Sequence, residues 1–360
     1  MKIVFDAYWS TNGPPSGRMV VNELLRAWAE NYPEDELKVL LPANDPGDNV
    51  PHEVSIVRSR LRPHGLAVAT LSRYSSGFKA DAVITQNFAV KGSRSCVFLH
   101  DAIFQSHPQY FTRRERLYFR WLTSRLRFAD LVFTSSATEA ARIVRHNPNV
   151  SEVHPVGLAI GANLLGAAAM IPEEAVGLDG FVLAVGRLNV RKNLITAFRA
   201  AGSSSQISTE HPLLVVGERD GKQSDLPVEI TNLIEEGKIR FLGGVTDSNL
   251  RWLYENASVL VFPSLDEGFG LPPLEALHFG CPLILSDIPV FRELYSQHAQ
   301  FVAPLDYRTL AAAIDNIVSS GHERSGNNVV ANPRLWADIV RSMRNKISER
   351  VTGEIEELSE

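Results

Sequence analysis

Residues 259–276 read Val-Leu-Val-Phe-Pro-Ser-Leu-Asp-Glu-Gly-Phe-Gly-Leu-Pro-Pro-Leu-Glu-Ala, and they hold the densest chemical signal in the chain. Val259 to Phe262 is a short apolar run closed by proline, the pattern of a fully buried strand. The glycines that follow allow close backbone approach and leave amides free to face a ligand. Pro273 suits the first turn of a helix over Pro273 to Phe279, because that turn's amides have no partner inside the helix. Such a helix start offers N–H groups to an anion such as a diphosphate. Glu275, placed in that first turn, suits a diol such as a ribose, and Glu267 on the loop suits sugar hydroxyls. The plain alternative is a strand–loop–helix unit carrying two solvated acids.

Working outward, the second half repeats the strand–helix alternation. Strands are expected at 181–185, 213–216, 239–242, 259–262 and 282–285, with helices at 194–201, 248–255, 273–279 and 310–318. The first half alternates likewise. Its expected strands are 2–5, 37–41, 81–85, 96–99 and 131–134, with helices over 20–30 and 111–128 and another starting at Ser135 or Ser136. Alternation of this kind implies mostly parallel sheets covered on both faces, an α/β class. Between the halves, residues 157–180 are rich in Gly, Ala and Pro and read as a linker. The expected organisation is a domain over 1–165, a linker over 166–179, a second domain over 180–335, and a C-terminal helix with an acidic tail over 336–360. Two open α/β domains would enclose a cleft, and such sheets bind ligands beyond the carboxyl ends of their strands.

The chain has 360 residues, long for a single core and comfortable for two domains. Hydrophobic residues at 44 % and charged residues at 21 % fit an ordinary soluble globular protein. The net charge of -5 argues against a general nucleic-acid binder. Cys96 and Cys281 lie in apolar stretches and read as buried thiols; no Cys/His spacing suggests zinc. The opening Met1-Lys2-Ile3-Val4-Phe5-Asp6 reads as a strand rather than a signal peptide. No stretch reaches the ~20 apolar residues needed to cross a bilayer. A cytoplasmic location is the expectation.

A second cluster strengthens the anion reading. Gly186-Arg187 closes the strand at 181–185, and Lys192-Asn193 stands at the next helix start. Two cations near a helix N-terminus answer a diphosphate. Taken singly, each would read as a surface charge.

These motifs together resemble the family-4 retaining glycosyltransferases of GT-B fold. That family carries two glutamates around a Gly-Phe-Gly-hydrophobic-Pro core, matched by Glu267 through Glu275, and a Gly-Arg-x(4)-Lys-Asn run, matched by Gly186, Arg187, Lys192 and Asn193. Phe241 to Val245 with Leu250, Leu253 and Tyr254 looks like the family's base-side loop and helix. Cys281 to Ile284, Ser286 to Pro289 and Arg292-Glu293 look like the strand and turn after the glutamate helix. The resemblance is clearest over residues 181–335. It implies two Rossmann-like domains facing each other across a cleft. It also implies that Arg187 and Lys192, with the backbone at Leu271, hold the donor diphosphate. By the same resemblance Glu275 holds the ribose, Glu267 with Gly268, Phe269 and Gly270 holds the transferred sugar, and Val245 contacts the base.

In the first half, His100-Asp101 ends an apolar strand where the family places a histidine beside the sugar. The resemblance thus implies that His100 orients a sugar hydroxyl or lines the acceptor side; the alternative is a loop histidine followed by a helix-capping Asp101. The family's N-terminal glycine loop corresponds to Gly13-Pro14-Pro15-Ser16-Gly17-Arg18, which lacks the adjacent glycine pair. Gly17, expected just before a helix at 18–30, is retained as a phosphate or sugar contact, and Arg18 reads either as a donor contact or as a surface charge. Arg113, Arg114, Arg116, Arg120, Arg125 and Arg127 are interleaved with aromatic residues, and Arg116, Arg120 and Arg127 share one face of a helical wheel. Such a helix could lie on an anionic leaflet; the alternative is a buried helix with a solvated basic face.

The implied activity is transfer of a hexose, with mannose or a deoxyhexose favoured, from a nucleotide-diphosphate sugar to a saccharide or lipid-linked acceptor with retention. GDP-mannose is the favoured donor, and no metal or other cofactor is required by this scheme. A sugar phosphorylase or nucleotide-sugar epimerase of the same architecture, or a non-catalytic nucleotide-sugar-binding protein, are the competing readings.

Overall fold

The structure is a computed structural model that describes residues 1–61, 64–150, 152–217, 226–321 and 334–357, with side chains to Gly353. Of the expected acidic tail, Glu354, Glu356 and Glu357 fall in the backbone of the last helix, and residues 358–360 lie outside the described residues. The chain forms two compact units, one of residues 1–161 with 334–360 and one of residues 162–333.

The first unit runs β1 (Lys2–Asp6), α1 (Pro15–Asn31), β2 (Glu36–Pro42), β3 (Ser55–Ser59), α2 (His64–Ala69), α3 (Leu71–Phe78), β4 (Ala82–Gln86), β5 (Ser95–Phe98), α4 (Ile103–Ser106), α5 (Arg113–Thr123), β6 (Leu131–Thr134), α6 (Ala137–His146) and β7 (His154–Pro155). Its strands pair in parallel in the order β3-β2-β1-β4-β5-β6-β7. Ile3, Val4 and Phe5 are all buried, as a strand covered on both faces requires. In α1, Val20, Val21, Leu24, Leu25 and Trp28 recur at helical spacing and form its buried face.

The second unit runs α7 (Ala162–Gly166), β8 (Val182–Val185), α8 (Leu194–Ser203), β9 (Leu213–Val216), α9 (Val228–Glu235), β10 (Ile239–Gly243), α10 (Asp247–Asn256), β11 (Val259–Phe262), α11 (Leu271–His278), β12 (Leu283–Ser286), α12 (Pro289–Tyr295), β13 (Ala299–Val302) and α13 (Tyr307–Ser319). The parallel order is β10-β9-β8-β11-β12-β13. Beyond the sheet ends the strands come close: a Cβ on Gly217 would stand 2.3 Å from the Gly186 carbonyl oxygen, so only glycine fits there.

The last helix, α14 (Trp336–Glu357), belongs to the first unit. Ile339, Val340, Met343 and Ile347 form its buried stripe. Trp336 Nε1 donates to the Ile160 carbonyl at 3.0 Å. Arg344 grips the fully buried Asp35 in bidentate fashion, donating from Nε and Nη2 at 2.8 Å each. The Arg344 guanidinium also lies 4.3 Å from the Tyr32 ring centre of α1.

Several local expectations are corrected. Strands β3, β7 and β13 lack a strong apolar run, because they sit at sheet edges where one flank needs no covering. The helix expected over 111–128 stops at Thr123; after a turn, residues 126–128 form a separate single turn. Arg127 therefore does not share a face with Arg116 and Arg120. Gly17 lies inside α1 rather than ahead of it, because Pro15 already supplies the first helical position. Glu275 sits one turn into α11, since that helix starts at Leu271.

Candidate functional site

Both sheets share one order of central strands. In the second unit β8 and β11 are neighbours from which the chain winds in opposite directions, a topological switch point where open α/β sheets bind ligands. The turn after β8 and the loop after β11 meet there. Asn193 stitches them: it adopts a left-handed conformation at φ 52° and its Nδ2 donates to the Pro263 carbonyl at 2.9 Å and the Pro304 carbonyl at 2.6 Å. The Leu265 amide donates to the Arg191 carbonyl at 2.8 Å.

That stitching sets two cations on one buried carboxylate. Lys192 Nζ donates to Glu267 Oε1 and Arg191 Nη1 to Glu267 Oε2, both at 2.6 Å. Arg191 also donates to the Asp266 carbonyl at 3.0 Å. Glu267 is 6 % exposed. Burial alone would raise its pKa, but Arg191 and Lys192 overcome this and hold it down at about 2. Burial in turn pulls the Lys192 ammonium below its usual range, partly offset by Glu267. Sequence reasoning named Lys192 and Glu267 but missed Arg191, although the adjacent Arg191-Lys192-Asn193 run was in view. Arg187 is exposed just past β8, close enough to lower the Lys192 pKa.

The loop continues into α11 through Gly270, which holds φ 98° as the helix cap. A Cβ there would meet Phe291 Cε1 at 2.7 Å, and Tyr295 donates its hydroxyl to the Gly270 carbonyl at 2.7 Å. Gly268, Phe269 and Gly270 are buried. Pro272 and Pro273 remove two amides from the first turn, and the Leu274 amide returns to the Gly270 carbonyl at 3.4 Å. The terminus thus presents the Leu271 amide rather than the full set that the sequence suggested.

Glu275 accepts a 2.8 Å hydrogen bond from Tyr254 of α10. Burial pushes its carboxyl up to about 7, against the opposing pull of that hydroxyl. It can therefore change charge near neutral pH. Val245 is half-buried in the short connection between β10 and α10.

The first unit has its own switch point between β1 and β4. Asp6, Gln86 and His100 lie at the carboxyl ends of β1, β4 and β5. His100 is half-buried, with its backbone amide donating to Asn87 Oδ1 at 2.9 Å and its Nε2 2.8 Å from Gln86 Oε1. Burial drops its pKa to about 4, with nearby His64 adding to the fall and Asp6 opposing it. Asp101 Oδ1 accepts from the Ile103 amide at 3.2 Å, the helix-start role. Gly17 makes room for Trp9, since a Cβ there would stand 2.9 Å from Trp9 Cε3. Arg18 is exposed and donates to the Thr11 carbonyl at 3.2 Å. In the basic segment, Arg125 is half-buried with its guanidinium 5.2 Å from the Phe88 ring centre and 4.9 Å from that of Phe128.

Among the described residues no group of three or more His, Cys, Asp or Glu could hold a metal ion. No described helix is long and apolar enough to cross a membrane.

Residues 172–331, nearly all of the second unit, match the family model described as Glycosyl transferases group 1. Across the whole chain, the sucrose-phosphate synthase of Thermosynechococcus elongatus superposes with a TM-score of 0.75 at 20 % identity, covering 98 % of this chain and 100 % of that one. Anabaena HepE, crystallised with UDP and glucose, gives 0.69 at 17 % identity, covering 97 % of this chain and 100 % of that one. The fold is GT-B. Among curated proteins, the chain is similar to an O-antigen chain mannosyltransferase of Salmonella typhimurium, 29 % identical over 267 residues that make up 72 % of each chain. It is also similar to O-antigen chain mannosyltransferase B of Escherichia coli, 28 % identical over 61 % of this chain and 60 % of that one.

Proposed function

We propose that this GT-B chain is a retaining glycosyltransferase that moves a hexosyl group from a nucleotide-diphosphate sugar to a saccharide or lipid-linked acceptor in the cytoplasm. The observation that carries the reading is the Glu267 carboxylate held between Arg191 and Lys192 at the β8/β11 switch point, with the Glu275 carboxyl one turn into the helix that follows. Two cations, a glycine loop and a carboxyl able to bind a diol are the chemistry that a nucleoside diphosphate sugar demands.

In this reading the donor diphosphate takes Lys192, Arg191 and Arg187 as partners. Glu267 is thereby released toward hydroxyls of the transferred sugar, together with the amides of Gly268, Phe269 and Gly270. Glu275 takes the ribose and the Val245 main chain the base. Leu271 contributes its amide to the diphosphate. The same cations stabilise the charge that grows on the leaving phosphate. The C1–O bond to phosphate breaks while C1 bonds to the acceptor oxygen on the same face. The acceptor proton passes to a departing phosphate oxygen, so no side-chain base is needed. His100, kept neutral by burial, orients a hydroxyl rather than removing its proton. Mannose carried on GDP is the favoured donor, and the similarity to two mannosyltransferases supports the mannose.

Calorimetric titration with GDP-mannose, UDP-glucose, UDP-N-acetylglucosamine and dTDP-rhamnose tests the donor. Selective binding of one, weakened by Lys192→Ala or Glu275→Ala, is expected. NMR of the product anomer then tests retention. Turnover that needs inorganic phosphate would replace this reading with a phosphorylase, and donor conversion without acceptor with an epimerase. Binding without turnover on any acceptor would leave a binding protein.

A peripheral membrane contact is a second reading, favoured by the outer face of α5. Leu117 is 62 % exposed and Trp121 37 % exposed, flanked by exposed Arg113, Arg114, Arg116 and Arg120. Apolar side chains ringed by arginines suit an anionic leaflet. Sedimentation with anionic but not zwitterionic vesicles, lost in Leu117→Glu, is the expected result.

A further inference from the structure

The first unit carries a hydrogen-bonded cluster that the proposed reaction leaves unused. Asp6, at the end of β1, is fully buried. Its Oδ1 accepts from the Tyr8 amide at 3.1 Å, and its Oδ2 accepts from the Gln86 amide at 3.2 Å. His64 Nε2 lies 2.7 Å from the same Oδ2. The carboxylate thus ties the end of β1 to the end of β4 and to the start of α2. The Trp9 ring covers both histidines, its centre 4.9 Å from that of His64 and 5.6 Å from that of His100. The indole is closely seated, since a Cβ on Gly13 or on Gly17 would stand less than 3 Å from the Trp9 side chain.

The position of Gln86 is therefore set by its neighbours. Its backbone is anchored on Asp6, and the pairing of β4 with β5 places it opposite Phe98, two residues before His100. Its side-chain oxygen faces His100 Nε2 at 2.8 Å. With its oxygen turned toward the ring, Gln86 accepts there, and a neutral imidazole matches it by carrying its proton on Nε2. Nδ1 then carries the lone pair. Phe98, whose ring centre lies 5.1 Å from that of His100, helps fix the plane of the ring.

We propose that Gln86 is a positioning residue for His100: it holds the imidazole as the Nε2–H tautomer and leaves Nδ1 as the acceptor for a hydroxyl of the bound saccharide. The inference deepens the glycosyltransferase reading and rests on it for the identity of the hydroxyl. It does not rest on it for the tautomer. The Gln86 amide nitrogen and His64 Nδ1 are both buried and have no hydrogen-bond partner among the described residues. The amide nitrogen is thus not held by a competing protein acceptor. An imidazole that stays neutral with one bare nitrogen discriminates hydroxyl donors by direction, which an exposed and rotating histidine cannot do.

The test is long-range proton–nitrogen NMR of the histidine rings in the free, full-length protein, with His100→Ala used to assign its signals. A proton-bearing Nε2 and a bare Nδ1 are expected in the wild type at neutral pH. Gln86→Leu should give a mixture of tautomers. Gln86→Glu, nearly isosteric, should keep the tautomer and raise the pH at which His100 protonates, since a carboxylate then joins Asp6 and opposes the influence of His64. In acceptor turnover, Gln86→Leu should lower kcat/KM for the acceptor about tenfold, the size of one lost hydrogen bond, with donor affinity unchanged. A wild-type His100 protonated on Nδ1, or a tautomer indifferent to Gln86→Leu, overturns the assignment. Loss of transfer with every donor, while the tautomer still responds to Gln86→Leu, removes the function proposed above and supports the role of Gln86.

Discussion

Replacing Glu267 with glutamine separates the two jobs assigned to this carboxylate. The holding-down of its pKa from 4.5 to about 2 corresponds to about 3 kcal/mol in favour of the ionised, folded form. Glu267→Gln removes that coupling and leaves the half-buried Lys192 and Arg191 facing a neutral amide. A loss of about 3 kcal/mol in unfolding free energy at pH 7 is expected, within the range for breaking a buried ion pair. The sign with pH follows from the depressed folded value. The contribution is complete above the unfolded pKa of 4.5 and disappears as pH falls toward about 2. Urea unfolding of both proteins should therefore differ most at neutral pH and converge in acid.

Binding should move the other way. In the free chain, Glu267 neutralises the cations that a diphosphate would use. With the charge removed, a nucleoside diphosphate lacking the sugar should bind about tenfold more tightly, the effect of one charge at a few ångströms in a screened site. Turnover of the full donor should collapse, because the sugar loses its carboxylate. Calorimetry with the bare nucleoside diphosphate and a transfer assay with the sugar donor read the two effects apart. Weaker diphosphate binding in Glu267→Gln, or equal stability of the two proteins at pH 7, would refute the reasoning.

Glu275, raised to about 7, should make nucleotide affinity climb with pH across neutrality as the carboxylate forms, and Tyr254→Phe should move that climb to higher pH by deleting the hydroxyl that favours the charge; calorimetry at several pH values checks both. The same raised value means that ionising Glu275 costs folding stability, a cost absent below about 4.5 and complete above about 7. Gly17→Ala should destabilise the fold by about 1–3 kcal/mol through the collision with Trp9, with no change in phosphate affinity, as denaturation and nucleotide titration would show. Arg344→Ala should cost about 2–3 kcal/mol in chemical denaturation, because the buried Asp35 loses a bidentate partner.

The architecture was legible because parallel strands covered on both faces advertise themselves as unbroken apolar runs, as in Val182–Val185 and Val259–Phe262. The edge strand Ser55–Ser59 was not, because its burial is partial and its residues include Arg58. The residues from Phe111 to Phe128 read as one helix, yet the helix ends at Thr123. Leu126 turns back into the core, where its burial outweighs local propensity. At the second-unit site, the motif spacing brought Lys192 and Glu267 into view but not the bond between them. That bond depends on Asn193 reaching across 70 residues of sequence to Pro263. Arg191 stayed hidden because a cation next to another cation reads as a solvated run until the fold supplies an acid for both.

The two units make the same point about where function collects. In each, the central strands follow one order, and the carboxyl ends on either side of the switch point cannot both be covered by their own crossover helices. Polar groups gathered there have to satisfy one another: Glu267 with Arg191 and Lys192 in one unit, Asp6 with His64 and Gln86 in the other. The second-unit cluster uses charged partners that an anionic donor can displace, so it suits exchange with ligand. The first-unit cluster is knit through backbone amides to a carboxylate with no exposed surface, so it suits holding a group in place. Under the proposed function, that contrast is the division between binding an activated diphosphate and orienting a hydroxyl.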